Sequence, residues 1–141
     1  MIGIVVVTHG QLAAELLNAA ETVAGDLQRF AAVSIGWHEH TDDARQEIAQ
    51  AIARVRGSES DGVLIVTDMF GGTPCDLAMT FLAHDNVEVV TGVNLPMLIK
   101  LAELPDQASL LDAAREIREQ GRNAIWVASD LLRGSKEPKT G

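Results

Sequence analysis

The sequence predicts an α/β fold with an open, mainly parallel sheet and helices on both faces. Apolar, β-branched runs alternate with segments whose apolar residues recur at helical spacing, which is typical of βαβ crossovers. The first run carries no charge, as expected of a strand that is buried on both faces. The predicted strands are Ile2–Val7, Phe30–Ile35, Val63–Thr67, Val87–Thr91 and Ala124–Ala128.

Helical periodicity lies between and after these strands. It covers the segments 11–24, 42–55, 74–83, 95–104 and 110–120. Thr41 and Thr73 are the predicted N-caps of the second and third helices, and Pro74 would be the first helical residue of the third. Gly25 and Gly121 are predicted to end the first and the last helix.

Length and composition predict one soluble globular domain. The chain has 141 residues, of which 47% are hydrophobic and 22% charged, so it can form a substantial core. We expect a domain over residues 1–129 and a polar tail over 130–141. The single Cys75 excludes an internal disulfide framework and fits a reducing cytoplasm. Four His and one Cys argue against a structural zinc site.

The net charge of the chain limits the classes of partner that it is expected to bind. The net charge of −9 argues against nucleic acid and against an anionic membrane surface, both of which attract basic proteins. No apolar run approaches the roughly 20 residues that span a bilayer, so no membrane insertion is expected. A partner protein with a basic face is compatible with this charge.

His9 is the first candidate functional residue. It follows the first strand and precedes the first helix, and ligands bind at the carboxyl ends of the strands in open α/β sheets. The N-terminus of the next helix would also attract an anion there. The alternative interpretation is a histidine that merely ends a strand.

Asp68 and the glycines after it form the second candidate segment. If the first and third strands are neighbours, Asp68 lies beside His9 and can fix its tautomer, which leaves the other ring nitrogen as nucleophile or base. Gly71 and Gly72 allow close backbone approach, and Thr73 adds a hydroxyl, so this segment can cradle a phosphate. The alternative is a tight loop and helix cap without a ligand.

Missing motifs constrain the chemistry further. The chain has neither G-x-x-x-x-G-K-[ST] nor G-x-G-x-x-G, and residues 3–11 and 68–76 contain no Lys or Arg. A kinase that binds a triphosphate would need a cation or Mg²⁺ ligands at this place. One His, one Asp and backbone donors instead suit a phosphoryl group that rests briefly on a histidine. No metal or other cofactor is expected.

Three segments together resemble the signatures of the mannose-family enzyme IIA, a component of the bacterial phosphoenolpyruvate-dependent sugar phosphotransferase system. They are the residues V-V-V-T-H-G at 5–10, D-M-F-G-G-T-P at 68–74 and T-G-V-N-L-P-M-L at 91–98, and the resemblance covers about residues 1–129. The resemblance implies that His9 accepts phosphate from the phosphocarrier HPr and passes it to a histidine of a IIB component. It also implies that Asp68 orients His9 and that Gly71, Gly72 and Thr73 hold the phosphate.

The resemblance has two further implications. It implies a homodimer in which the last strand, near Ala124–Ala128, runs antiparallel and is exchanged between subunits. Gly10 and Asn94 are expected at the rim of the site. A close alternative is the related phosphotransfer subunit of a dihydroxyacetone kinase system, and another is a regulatory module that uses phosphorylation of His9 only as a signal.

Two features depart from the family pattern. The segment W-H-E-H at residues 37–40 is not a family motif. Its two histidines could share a metal, although an exposed loop is the favoured interpretation. The sequence ends at Gly141 without a IIB domain, so IIB is expected on a separate chain.

Overall fold

Four parallel strands form one sheet in a computed structural model that describes residues 1–37, 39–58, 60–83 and 86–134. The strands are β1 (Gly3–His9), β2 (Phe30–Ile35), β3 (Val63–Thr67) and β4 (Val87–Thr91). Their order across the sheet is β2-β1-β3-β4, and every neighbouring pair is parallel. The predicted parallel sheet and the predicted neighbourhood of the first and third strands are therefore confirmed.

Helices connect the strands and continue after the last one. They are α1 (Leu12–Ala24), α2 (Thr41–Val55), α3 (Thr73–Met79), α4 (Leu95–Ala102), α5 (Leu110–Asn123) and α6 (Ala128–Leu132). A single 3₁₀ turn, Thr80–Ala83, follows α3. Within the described ranges, no helix combines the length and the apolar character needed to cross a bilayer.

Each face of the sheet has its own hydrophobic core. Side chains alternate along a strand, so Val5 and Val7 of β1 pack against α2 and α3, whereas Ile4 and Val6 pack against α1, α4 and α5. The central strands β1 and β3 are buried on both sides, which explains their uncharged sequences. The predicted helices on both faces are confirmed.

Three predicted helix ends were wrong. α2 is capped by His40 and α3 by Gly72, so Thr41 and Thr73 are the first helical residues rather than the caps. Gly121 lies within α5, which continues to Asn123. A Cβ at Gly121 would lie 2.6 Å from Sδ of Met97, so this glycine allows α4 and α5 to pack closely instead of ending the helix.

The fifth strand predicted over Ala124–Ala128 does not form within the described part of the single chain. Ala124 is a turn residue and Ala128 already begins α6, while residues 125–127 pair with no strand in the described part of the chain. Ile125 and Val127 are exposed. A strand needs a neighbouring strand for its hydrogen bonds, and the described residues of this chain supply none there. Exchange with a second subunit stays a prediction.

Candidate functional site

The carboxyl ends of β1 and β3 bring His9 and Asp68 together. His9 is the last residue of β1, and Asp68 directly follows β3. Nδ1 of His9 lies 2.8 Å from Oδ2 of Asp68, and the backbone N–H of His9 donates to the same oxygen at 3.1 Å. Two contacts to one carboxylate oxygen fix both the backbone and the ring of His9. The ring remains accessible, with half of the side chain exposed.

The charge of Asp68 is stabilised by His9. Burial alone would raise the pKa of Asp68, but the hydrogen bonds from the ring and the backbone of His9, with their charge attraction, outweigh it and lower that pKa. Asp68 is therefore a carboxylate at neutral pH. Its other oxygen, Oδ1, is buried and accepts no hydrogen bond from the described residues. The carboxylate thus acts on His9 through Oδ2 alone.

The far edge of the His9 ring faces Gly72. A Cβ added to Gly72 would lie 3.1 Å from both Cε1 and Nε2 of His9, so a side chain there would crowd the free nitrogen. Gly71 and Gly72 have φ angles of 89° and 85°, in the left-handed region that favours glycine. Thr73 follows as the first residue of α3 and is exposed. The structure therefore places Gly72 beside the ring, with Gly71 and Thr73 on either side of it in the chain.

Thr8 fixes the turn that presents His9, and sequence reasoning did not single it out. Its hydroxyl oxygen is buried, accepts from the backbone N–H of Ala13 at 2.6 Å and donates to the carbonyl of His9 at 3.2 Å. Gly10, with a φ of 57°, donates from its backbone to Ile35 of β2 at 2.9 Å. A hydroxyl that ends an otherwise apolar strand is the signal that could have identified Thr8.

Asn94 shapes the fold beside the site. Its Oδ1 accepts from the backbone N–H of Met97 at 3.2 Å and caps α4, while its Nδ2 donates to the carbonyl of Gly121 in α5 at 3.1 Å. Val93, the preceding residue, donates to the carbonyl of Thr67 at 2.9 Å and ties this loop to the end of β3. The Asn94 amide is thus engaged by two helices.

The loop after β2 is the third segment at this end of the sheet. Glu39 closes a turn, since its backbone N–H donates to the carbonyl of Gly36 and its Oε1 accepts from the N–H of Gly36, both at 3.2 Å. Trp37 is exposed between them, and His38 lies outside the described residues. In the described part of the chain, no group of three His, Cys, Asp or Glu side chains could hold a metal ion.

Comparison with known proteins identifies the family. The family model EIIA-man, described as the PTS system fructose IIA component, matches residues 3–118. The chain is 27% identical over 133 residues to the fructose-specific EIIA component of Bacillus subtilis (strain 168), with 94% of this chain and 90% of the relative covered. It is 29% identical to the mannose-specific EIIAB component of Escherichia coli (strain K12), covering 88% of this chain but spanning only 38% of that relative.

Solved structures agree with this assignment. The PTS IIA protein associated with the fucose utilization operon of Streptococcus pneumoniae has a TM-score of 0.80 and 27% identity, with coverage of 93% of this chain and 96% of that one. The mannose/sorbose-specific IIA subunit of Enterococcus faecalis has a TM-score of 0.79 and 25% identity, with 89% and 92% covered. The chain therefore belongs to the mannose family of IIA components of the sugar phosphotransferase system. These components are phosphotransferases of sugar uptake.

Proposed function

We propose that the protein accepts a phosphoryl group from HPr on Nε2 of His9 and passes it to a histidine of a IIB component in the cytoplasm. The observation that carries this proposal is the 2.8 Å contact between Nδ1 of His9 and Oδ2 of Asp68. A carboxylate only accepts, so Nδ1 carries the proton and Nε2 keeps its lone pair. That nitrogen lies beside Gly72, in a side chain that is half exposed.

The proposed transfer moves the phosphoryl group directly from one histidine to another. The Nε2 lone pair of His9 attacks the phosphorus of a phosphohistidine on HPr, an N–P bond forms, and the donor N–P bond breaks with its electron pair returning to the donor imidazole. The positive ring that results on His9 is stabilised by the Asp68 carboxylate. In the second transfer, the histidine of IIB attacks the phosphorus on Nε2 of His9, and the N–P bond to His9 breaks.

Gly71, Gly72 and Thr73 are proposed to hold the phosphate. Gly72 is close enough to the ring that a phosphoryl group on Nε2 must pass beside its backbone. The first N–H groups of a helix have no acceptor within the helix, and α3 begins at Thr73. The Thr73 hydroxyl supplies one further donor.

The test is phosphorylation by the complete donor chain. We expect incubation with phosphoenolpyruvate, enzyme I and HPr to add one acid-labile phosphate to the chain, detected by intact-mass analysis. His9→Ala abolishes this gain, whereas His40→Ala, which alters an exposed histidine outside the three motifs, retains it. If His9→Ala still gains the phosphate, the assignment of His9 is wrong.

The acceptor is tested by adding IIB. We expect candidate IIB proteins to remove the phosphate from His9 and gain it themselves. The match to fructose, mannose and sorbose IIA relatives favours sugar uptake over a dihydroxyacetone kinase system. A phosphorylated chain that discharges to no IIB would instead support the regulatory role.

A homodimer is also proposed. β4 is at the edge of the sheet, and its outer side borders an open groove toward α5. The exposed residues 125–127 of a second subunit could supply the missing neighbour. Sedimentation equilibrium at micromolar concentration should give twice the chain mass of 15.1 kDa, and a monomer would contradict the exchange.

A further inference from the structure

Two polar residues are fully buried in the described part of the chain, and each directly precedes a residue of the site. Thr8 precedes His9 in β1, and Thr67 ends β3 immediately before Asp68. A buried hydroxyl group costs free energy unless its hydrogen bonds are made within the protein. The contacts of these two hydroxyl groups therefore show what each one holds in place.

The Thr8 hydroxyl is a donor and an acceptor at the same time. Its oxygen accepts from the backbone N–H of Ala13 at 2.6 Å and donates to the carbonyl of His9 at 3.2 Å. The Thr67 hydroxyl donates to the carbonyl of Met69 over a longer distance, 3.4 Å. Thr8 therefore joins the carbonyl of His9 to the first turn of α1, in which Ala13 is the second residue.

The start of α1 depends on this contact, because its own N-cap residue supplies none. Gln11 occupies the N-cap position and makes no side-chain hydrogen bond to the helix. The first N–H groups of a helix have no acceptor within the helix, and that of Ala13 is one of them. Thr8 supplies the acceptor from the preceding strand, and Ala13 is itself buried. The start of α1 is thereby fixed to the strand that carries His9.

Three contacts hold the backbone around His9 at three different atoms. Its N–H donates to Oδ2 of Asp68 at 3.1 Å, and its carbonyl accepts from the Thr8 hydroxyl. The next N–H, that of Gly10, donates to the carbonyl of Ile35 at 2.9 Å. Asp68 follows β3 and Ile35 belongs to β2, so the backbone of His9 is held from both neighbouring strands and from its own.

The direction of the His9 ring depends on the direction of its backbone. Nδ1 of the ring lies 2.8 Å from the same Oδ2 of Asp68 that accepts from the backbone N–H. A rotation of the His9 backbone also turns the Cα–Cβ bond and displaces the ring, and an N–H···O contact weakens steeply as it bends. The Thr8 hydroxyl opposes this rotation because it holds the carbonyl of the same residue.

We propose that Thr8 is a positioning residue for phosphoryl transfer: its hydroxyl holds the backbone of His9 so that Nδ1 stays on Asp68 and the lone pair of Nε2 faces the entering phosphorus. Thr8 acts through the backbone of His9 and through α1, not on the phosphoryl group. A carboxylate only accepts, so a neutral ring held in this way adopts one tautomer, with its proton on Nδ1. The kinetic part of this inference rests on the proposed function, whereas the tautomer is a property of the unphosphorylated protein.

The first test is Thr8→Val, which removes the hydroxyl and keeps the shape of the side chain. We expect transfer from phosphorylated HPr to slow by about 10- to 100-fold, through kcat rather than KM, because a small misplacement of a reacting atom is costly. Phosphoramidate, a small donor that releases ammonia when Nε2 attacks its phosphorus, should show a similar loss. A loss with both donors places the defect in the histidine and not in the binding of HPr.

Thr80→Val is the matched control for that variant. The Thr80 hydroxyl accepts from Nε of Arg45 at 3.3 Å and donates to the carbonyl of Leu77 at 2.7 Å, so its removal also deletes one accepted and one donated hydrogen bond. Thr80 lies at the end of α3 that is farther from Gly72. Both variants should lose stability in urea, but only Thr8→Val should transfer more slowly. A folded Thr8→Val protein that transfers at the parent rate overturns the inference.

The tautomer of His9 is a readout that a purely structural role of Thr8 would leave unchanged. The ¹⁵N chemical shifts of a neutral imidazole distinguish its protonated nitrogen from its unprotonated one. We expect the parent and Thr80→Val to carry the proton on Nδ1 alone, and Thr8→Val to show a mixture of both tautomers. The parent tautomer in Thr8→Val would mean that the hydroxyl does not hold the ring, and would overturn the inference.

A second pair of variants keeps the test decisive if Thr8→Val does not fold. Thr8→Ser and Thr8→Cys both lose the methyl group, but only serine keeps a hydroxyl, since a thiol is a weak donor and a weak acceptor. We expect Thr8→Ser to keep a transfer rate and a tautomer close to those of the parent, and Thr8→Cys to lose both. Equal behaviour of the two variants would overturn the role of the hydroxyl.

Failure of this inference is distinct from failure of the proposed function. If the proposed function is wrong, the parent protein itself gains no phosphate on His9 from either HPr or phosphoramidate. If only the inference about Thr8 is wrong, the parent is phosphorylated normally, and Thr8→Val matches it in transfer rate and in tautomer.

Discussion

Two aspartates at opposite ends of the sheet contact cationic or ionisable partners in different ways. At the amino end, Oδ1 of Asp61 lies 3.1 Å from the amino group of Met1, and Oδ2 lies 2.9 Å from the Arg29 guanidinium. These hydrogen bonds, that of Arg29 first, lower the pKa of Asp61 to about 2. At the carboxyl end, Asp68 directs one oxygen at both the ring and the backbone of His9.

The contacts of Asp61 are structural, whereas the contact between Asp68 and His9 can support chemistry. Both oxygens of Asp61 are occupied, and Ser58 also donates to Oδ2 at 3.0 Å, so this carboxylate ties together three segments of the chain. Asp68 holds a single residue and leaves Nε2 of that residue open. An ion pair whose partner keeps a free, exposed nitrogen can take part in transfer, whereas one that is fully engaged only holds the chain together.

Asp68→Asn should give the largest effect. The replacement is nearly isosteric, so the fold should persist, but it removes the charge and can present an N–H where Nδ1 needs an acceptor. We expect transfer from HPr and to IIB to slow by about 10²- to 10⁴-fold, as in other sites with an oriented histidine. Rapid-quench transfer assays measure the rate, and circular dichroism checks the fold.

Asp61→Asn is the matched control for that variant, because it makes the same substitution in the other pair. Its transfer rate should equal that of the parent. A folded Asp68→Asn protein that transfers at the parent rate would remove Asp68 from the mechanism.

Gly72→Ala should give the next largest effect, and Gly71→Ala is its control. Both glycines have φ near 90°, so alanine strains the backbone by about 1–2 kcal/mol at either position. Only at Gly72 would the new Cβ meet the His9 ring, at 3.1 Å, because nothing lies within 4 Å of a Cβ at Gly71. We expect similar losses of stability in urea, but transfer slowed about 10- to 100-fold in Gly72→Ala alone. Equal transfer rates in the two variants would show that Gly72 does not border the reacting nitrogen.

Asp61→Asn should lower stability without lowering transfer, and the loss should depend on pH. The folded pKa of about 2 is below the ordinary carboxyl pKa of 3.8, so between these values the unfolded chain binds more protons than the folded one. The contribution of Asp61 is therefore complete above about pH 4 and is lost as the pH falls toward 2. Urea unfolding of parent and variant should differ by a constant amount from pH 7 to 4 and converge below it. A difference that persists unchanged near pH 2.5 would contradict this account.

The same pair of regions shows what the sequence alone could predict. His9 and Asp68 are far apart in the chain, but each follows an uncharged strand, and parallel strands bring such ends together, so their meeting could be predicted from pattern and topology. The Asp61 contacts could not be predicted, because Met1, Arg29 and Asp61 carry no periodicity and meet only through the packing of turns.

Gly121 was wrongly predicted to end the last helix. A glycine that ends a helix and a glycine that leaves space for a neighbouring side chain cannot be told apart from the sequence. The strand predicted over 124–128 stays a prediction, because strand propensity does not say which chain supplies the neighbouring strand.

A third carboxylate, Glu39, differs from both aspartates because its partner, Glu47, is another carboxyl group. Oε2 of Glu39 is buried without a donor among the described residues, and its neighbour Glu47 lies on α2. The hydrogen bond with Glu39 is the largest cause that raises the pKa of Glu47 to about 7, followed by burial and by the charges of Glu39 and Asp43. We infer that a proton on Glu47 supplies the donor that Oε2 needs. It also helps to hold the turn that carries Trp37.

Glu47→Gln should therefore produce the smallest effect, visible only as a dependence on pH. The folded pKa of about 7 exceeds the ordinary glutamate pKa of 4.5, so between these values the folded chain binds more protons than the unfolded one, and stability falls as the pH rises. Glutamine keeps an N–H donor at every pH, so the free energy of unfolding of the variant should rise relative to that of the parent from pH 4.5 to 7. Glu21→Gln, the same change at an exposed position of α1, should show no such trend. If the free energies of unfolding of the parent and of Glu47→Gln change in parallel across this range, the two carboxyl groups do not share a proton.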